Sequence, residues 1–304
     1  MAVTNTGSHP KLLWPGIHAV WGQVYNEHAK EYPDLFDQLD SDKAFEEDVQ
    51  VTGYGLMSIK NEGNSGTYDR ETQGMISRYQ HIAWSLGYIV TFEEMRDNLY
   101  SQVGERRAKA NAFSVNQTIE NVAAFLYNNA FTTTYFTTGD GVALISSAHV
   151  NPNGSTYSNS LTPGADLEES SLEDICIQMM GATNSRGLPI SVMPKSLHVP
   201  RQELFNAHRI LESTLQSGTA NNDINVLKAT NAFPSGVKLN HYFTAPSAWF
   251  VRTNCMNGMT MYWRDRPMFD QDNDFDTKNA KAMAYMRLSV GCSDPLSMFG
   301  SNGP

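Results

Sequence analysis

The stretch Thr91–Phe131, TFEEMRDNLYSQVGERRAKANAFSVNQTIENVAAFLYNNAF, decides the fold. Thr91, followed three residues later by Glu94, is a capping box in which hydroxyl and carboxylate each satisfy a backbone N–H left unpaired by the first turn. Beyond it Met95, Leu99 and Val103, then Val115, Ile119, Val122, Ala123, Leu126 and Ala130, recur at the i, i+4, i+7, i+8 spacing of one apolar stripe. A continuous helix over 91–131 would run about 60 Å, with Gly104 as a place to bend or interrupt it. Such a helix with a single narrow stripe suits a spine laid across a flat domain better than the centre of a globule.

Upstream, between Gln50 and Val90, short apolar runs (VTGYGLMSI and SRYQHIAW) flank KNEGNSGTYDRETQG, whose glycines, asparagines and serine favour turns. The expectation is a long projecting β-hairpin whose polar tip is Lys60, Asn61, Glu62, Gly63, Asn64, Ser65 and Gly66. A structureless surface loop of that length is the competing reading, and loops beyond about 12 to 15 residues are uncommon unless functional. Residues 1–50 scatter Trp14, Trp21, Tyr25, Tyr32 and Phe36 among prolines and acids, in amphipathic turns too short to close a core. They read as an arm that packs on something else, with Trp14, Trp21 and Tyr25 as its contacts.

Downstream, the turn Gly139-Asp140-Gly141 leads to an apolar strand at VALI and then a polar loop. A second helix is expected from Ser170, capped by Glu173, with the stripe Leu172, Ile175, Cys176, Met179, Met180 and a stop at Gly187-Leu188-Pro189. A buried strand in ISVMPKSLHVP precedes a third helix that starts at Pro200 and carries Leu204, Phe205, His208, Leu211 and Leu215. The strand-like segments HYFTAPSAWFVRT, MTMYW and AYMRLSV follow, the last two joined by an acidic loop, DRPMFDQDNDFDTKNAK. This order of elements gives an α+β class, with no internal repeat.

Composition excludes several functions. The chain of 304 residues carries 22 Lys and Arg against 32 Asp and Glu, a net charge of −10 that opposes condensation onto nucleic acid. No run approaches the roughly 18 apolar residues of a membrane span, and no secretory signal opens the chain, so a cytoplasmic setting is expected. Cys176, Cys255 and Cys292 are widely spaced and odd in number, which signals neither a disulfide framework nor a zinc site.

The usual phosphate-cradle, zinc-protease and serine-esterase motifs are absent, and the eight histidines show no ligand spacing. Asp270, Asp272 and Asp274 imitate a calcium loop, but Phe275 stands where a glycine should turn and Lys281 where a glutamate should close the site. The expectation is no enzyme, no metal and no cofactor. A hydrolase using paired carboxylates among Asp270–Asp276 is the enzymatic alternative.

Separated blocks agree, in order and spacing, with a known family. YIVTFEEMRDNLYSQVGERRAKANAF, NNAF, GDGVALISSAHVNPNGSTYSN, MPKSLHVPRQELFNAHRIL and FDTKNAKAMAYMRLSVGCSDP together resemble the Mu-like major head subunits of tailed bacteriophages, over roughly residues 85–295. The resemblance implies the tailed-phage major capsid fold, shared with encapsulins. It implies an N-terminal arm (1–50), an extended loop (50–90), a peripheral domain (91–140 and 259–304, spine helix 91–131) and an axial domain (141–258).

Its expected work is to build an icosahedral head from pentamers and hexamers of itself around double-stranded DNA, without sequence-specific binding and without a membrane. A portal protein and a decoration protein are expected partners. Because the chain begins at Met1 with no preceding scaffolding segment, a separate scaffolding protein is expected too. Some relatives crosslink a loop lysine, and Lys60 lies at the corresponding tip, but no crosslink is expected here. An encapsulin-like compartment is the alternative with the same fold.

Overall fold

The computed structural model describes residues 14–26, 29–96, 100–216 and 223–303, leaving aside the side chains of 14–17 and 95–103. The chain enters through α1 (Trp14–Tyr25), α2 (Tyr32–Leu35) and β1 (Asp37–Asp40). It rises through β2 (Phe45–Val51), returns through β3 (Gln73–Gln80) and β4 (Ile82–Val90), and reaches α3 (Phe92–Arg96) and α4 (Tyr100–Asn128). Next come β5 (His149–Val150), β6 (Thr156–Tyr157), α5 (Glu169–Met180), β7 (Pro194–Pro200), α6 (Leu204–Glu212), α7 (Val226–Ala229), β8 (Val237–Asn240) and β9 (Trp249–Thr253). β10 (Met259–Asn273), β11 (Ala280–Cys292) and β12 (Met298–Ser301) close it.

Two four-stranded sheets organise these elements, one in the order β1-β10-β11-β4 and one in the order β12-β9-β7-β8. In the first, β11 alternates from Ala280 to Leu288: Ala280, Ala282, Ala284, Met286 and Leu288 point inward, the period of two that places one face of a strand on a core. Met261, Trp263 and Phe269 of β10 complete the floor on which α4 lies. The second sheet packs on α5, α6 and α7 through Ile175, Met179, Leu197, Leu211, Trp249 and Val251.

The helix across the first sheet differs from the continuous 91–131 element. Arg107 Nη2 lies 2.9 Å from Glu94 Oε1, although thirteen residues of straight helix would hold them about 20 Å apart. α3 and α4 therefore do not lie on one straight helix. Glu94 N–H does donate to Thr91 Oγ1 at 3.3 Å, but the Glu94 carboxylate serves Arg107 rather than closing the capping box. Val115, Ile119, Ala123, Leu126 and Ala130 are buried as expected, while Met95, Leu99 and Val103 fall outside the described side chains. Ala108, Ala112, Ala124 and Tyr127 are buried as well, so α4 is enclosed over a wide face and not a narrow stripe.

Other expectations also change. VALI forms no strand; Leu144 and Ile145 are buried in irregular chain, with Ile145 N–H donating to Ala130 O. α5 starts at Glu169 with reversed capping chemistry, Glu168 preceding it and its N–H donating to Ser171 Oγ at 2.9 Å; it ends at Gly181, well before Gly187. α6 stops at Glu212 and buries Ala207, Ile210 and Leu211, whereas Phe205 is 78% exposed.

The acidic segment 265–281 is mostly strand: only 274–279 turn between β10 and β11. Asp270 and Asp272 are the outward residues of that strand, and the register shifts around Pro267 absorb a residue that cannot donate to the ladder. β12 pairs with β9, so 298–301 belong to the second sheet and not to the first.

Candidate assembly surface

The hairpin is built from β2 and β3, not from the whole of 50–90. Phe45 pairs with Gln80 and Val49 with Ile76, while β4 leaves the hairpin to pair with β11. Between Val51 and Gln73 the two arms run on as a ribbon without regular strand, held by polar rungs. Thr52 N–H donates to Thr72 O at 2.9 Å, Gly55 N–H to Asp69 Oδ2 at 2.8 Å, the Ser58 and Thr67 hydroxyls meet at 2.7 Å, and Asn64 N–H reaches Asn61 O at 3.2 Å. Gly63 sits at φ +82°, a conformation glycine adopts without strain, and it turns the tip.

The base of the ribbon is tied to the second sheet's half of the molecule by Arg186. Its Nε donates to Gly53 O at 2.9 Å and its guanidinium also bonds Arg70 O beside Asp69. The N–H groups of Gly55 and Arg70, together with the Arg186 guanidinium, hold the Asp69 carboxyl below the usual range. The ribbon thus has a shape of its own, yet it presents Leu56 (83% exposed), Met57 (100%), Ile59 (93%) and Tyr68 (97%) to solvent. Lys60 through Gly66 are all exposed.

A second apolar surface lies between α4 and the edge strand β4. A groove of about 620 Å³ is lined by Ile82, Trp84, Phe125, Leu126, Tyr135 and Phe136 among others. Ile82, Phe125 and Tyr135 remain substantially exposed. β4 is the edge of its sheet, and its sequence IAWSLGYIV contains neither charge nor proline, the features that ordinarily protect an edge from pairing with another chain. Exposed apolar patches of this kind mark interaction sites on soluble proteins.

The N-terminal contacts expected of Trp21 and Tyr25 are made within the chain. Trp21 is buried, stacks on Tyr25 and Phe269 with centroids 5.1 and 5.3 Å away, and donates from Nε1 to Asn111 Oδ1 at 2.9 Å. These contacts are a correction to the arm as a partner-seeking element, because α1 finds its apolar cover on α4 and β10. The Trp14 side chain lies outside the described residues.

The acids considered for hydrolysis are not gathered. Asp270 and Asp272 are exposed along β10, and Asp274 pairs with Lys281 at 2.7 Å, which with the Asp276 N–H holds its carboxyl low. Among the described residues no group of three His, Cys, Asp or Glu could hold a metal ion, and no helix is long and apolar enough to cross a membrane.

Sequence reasoning missed a buried pair, Asp140 and His149. His149 Nδ1 lies 2.7 Å from Asp140 Oδ2, and Nε2 lies 3.1 Å from Asn159 Oδ1. With both ring nitrogens engaged and the ring fully buried, the pair fastens structure rather than moving protons. Burial opposes the charge on Asp140, but His149, the Thr138 hydroxyl and Val150 N–H outweigh it and hold the carboxyl at about 2. Asn159 extends the network, donating from Nδ2 to Leu144 O at 2.8 Å and to Pro295 O and Met298 O at 3.1 Å.

The described residues thus form a hairpin-bearing, helix-spanned sheet joined to a second sheet, with an apolar ribbon and groove left exposed. The chain belongs to the phage capsid protein family, whose model matches residues 76–300. The match does not single out the Mu-like head subunits. No curated protein sequence matches.

Solved structures share the fold at low identity. A virus-like particle from Pyrococcus furiosus aligns with TM-score 0.54 at 9% identity, covering 94% of this chain and 98% of that one. The capsid of the cyanophage P-SCSP1u aligns with TM-score 0.53 at 10% identity, covering 90% and 87%. The capsid of Myoviridae phage XM1 aligns with TM-score 0.51 at 11% identity, covering 92% and 94%. Phage head capsid subunit, a structural role, is the function this family membership assigns.

Proposed function

We propose that this subunit closes an icosahedral head as pentamers and hexamers, each copy laying its ribbon over a neighbour. The observation that carries this reading is the ribbon itself. Residues 52–72 are shaped by their own backbone and by Arg186, while Leu56, Met57, Ile59 and Tyr68 have no cover among the described residues. Copies repeated around closed symmetry would bury these side chains, and many modest contacts would add through multivalency. The groove between α4 and β4 is the matching apolar surface on a second copy.

In this reading β1-β10-β11-β4 with α4 forms the peripheral domain, and β12-β9-β7-β8 with α5, α6 and α7 forms the axial domain at the five- and six-fold axes. Portal, separate scaffolding and decoration proteins are the further partners, and the net charge of −10 suits a wall that encloses double-stranded DNA without adhering to it. Assembly takes place in the host cytoplasm, and the subunit catalyses nothing. An encapsulin-like compartment is the second reading; the virus-like particle from Pyrococcus furiosus to which this chain is similar in fold keeps a non-phage shell in view.

The test is deletion of 61–66 and, separately, replacement of Leu56, Met57 and Ile59 by serine. Normal closed shells from both variants, seen by electron microscopy, would remove the ribbon from the assembly mechanism.

A further inference from the structure

The regular ladder of the hairpin ends where Val51 pairs with Gln73, and beyond it the ribbon runs out to Gly63. Among the described residues, every hydrogen bond and ion pair that joins 52–72 to the body of the subunit comes from one side chain, Arg186. Its Nε donates to Gly53 O on the outgoing arm at 2.9 Å. On the returning arm Nη2 bonds Arg70 O and lies 3.5 Å from Asp69 Oδ1. The guanidinium thus lies across both arms at once, a grip for which its planar fork of donors is suited and a single ammonium is not.

Arg186 is itself held in place. It sits in a tight turn after α5, where Asn184 Oδ1 accepts the N–H groups of Arg186 and Leu188, both at 2.9 Å. Gly187, at φ +78°, donates its N–H to Asn184 O at 2.9 Å, and the Asn184 side chain closes the turn on its own backbone. Below the turn, Ile190 N–H donates to Ala182 O at 3.1 Å, and both residues pack on the second sheet's core. Support therefore runs from that core, through the 184–188 turn and one guanidinium, to the ribbon.

We propose that Arg186 is the positioning residue of the ribbon, fixing the angle at which it leaves the subunit before any neighbour is present. Leverage makes that angle matter. Gly63 lies about 33 Å beyond Gly53, at roughly 3.3 Å per extended residue. A swing of about 10° at the base carries the tip about 6 Å, more than the roughly 4 Å within which apolar side chains touch. Leu56, Met57, Ile59 and Tyr68 on an ungripped ribbon would have to be aimed during association, an ordering cost repeated in every copy.

The use of that aim rests on the shell-forming reading, whereas the grip does not, and the test separates them. Pulsed electron paramagnetic resonance on free subunits of the full chain would use spin labels at Ser65→Cys in the tip and Asp174→Cys on α5, both exposed positions. Cys255→Ser leaves only buried native thiols. The wild type should give one narrow distance. Arg186→Met and Arg186→Lys should each widen the distribution by about twofold or more. The thermal unfolding midpoint should change little, since Gly53 and Arg70 are exposed and water replaces the lost bonds. A wild-type distribution already as broad, or an unchanged width in Arg186→Met, would overturn the proposal. Shell yield by sedimentation should fall for Arg186→Met. A widened ribbon with undiminished shells would deny Arg186 its positioning role; a wild type that forms no shells would instead strike the shell-forming reading and leave the widths to decide the grip.

Discussion

Glu94 and Arg107 meet in a two-pronged ion pair, with Oε1–Nη2 2.9 Å and Oε2–Nη1 3.0 Å, and Arg107 Nη1 also reaches Ile89 O at 2.9 Å. The contact joins α3 to α4 and pins the end of β4, the strand that borders the apolar groove. The two side chains are partly exposed, so the pair acts through geometry more than through energy.

Arg107→Met should therefore lower subunit stability by no more than about 1 kcal/mol, the range of exposed ion pairs. Its larger effect should be faster hydrogen exchange at 89–96. Arg107→Lys should not restore protection, because an ammonium lacks the planar fork that spans both carboxylate oxygens.

Asp140 sets an acid limit on stability. Its folded value of about 2 lies below the ordinary carboxylate value of 3.8, so its contribution is complete above the latter and is lost as pH falls through the former. The side chain is almost wholly buried, and the difference corresponds to about 2 kcal/mol. Denaturant titration of free subunits at pH 4 and pH 2 should show this loss in the wild type. It should be much smaller in Asp140→Asn.

Asn159→Leu should be more severe. It leaves Ser146 N–H and the carbonyls of Leu144, Pro295 and Met298 without a buried partner they now share. Each orphaned group costs roughly 1 to 3 kcal/mol, so a loss of at least about 3 kcal/mol is expected in equilibrium unfolding.

Leu56→Ser, Met57→Ser and Ile59→Ser should leave free-subunit stability within about 0.5 kcal/mol, since these side chains touch almost nothing among the described residues. Sedimentation should nevertheless show a fall in shell yield. Trp84→Ser, at the groove, should also lower shell yield, but with a loss of subunit stability, because only about a third of that side chain is exposed.

The sequence made the order of elements legible wherever a segment's own periodicity matched its burial. The stripe from Val115 to Ala130 and the alternation of β11 both belong to that kind. It misled where tertiary partners decide. Phe92–Arg96 carries good helix signals, but the Arg107 fork lies thirteen residues on and no local rule foresees it. The second half of β10 read as an acidic loop because its outward residues, Asp270 and Asp272 among them, dominate the composition, while Phe269 points inward.

Trp21 read as an outward contact because Phe269 and Asn111, which cover it, are remote in sequence. Glu120, whose buried carboxylate receives the backbone N–H groups of Glu31 and Tyr32, was open to discovery: it lies four residues after Asn116 and four before Ala124, on the buried face of α4, where a carboxylate is out of place. Arg186 and the groove had no such signal. Both depend on segments that only the fold brings together.

Under the proposed function, copies of this chain close a shell, alone or with a separate scaffolding protein. Electron microscopy of the purified full-length chain under a range of salt and concentration tests it most directly. Closed particles of uniform diameter, or the rings of subunits that precede them, are the predicted result. A field of small oligomers under every condition, with and without the other head proteins, would contradict it.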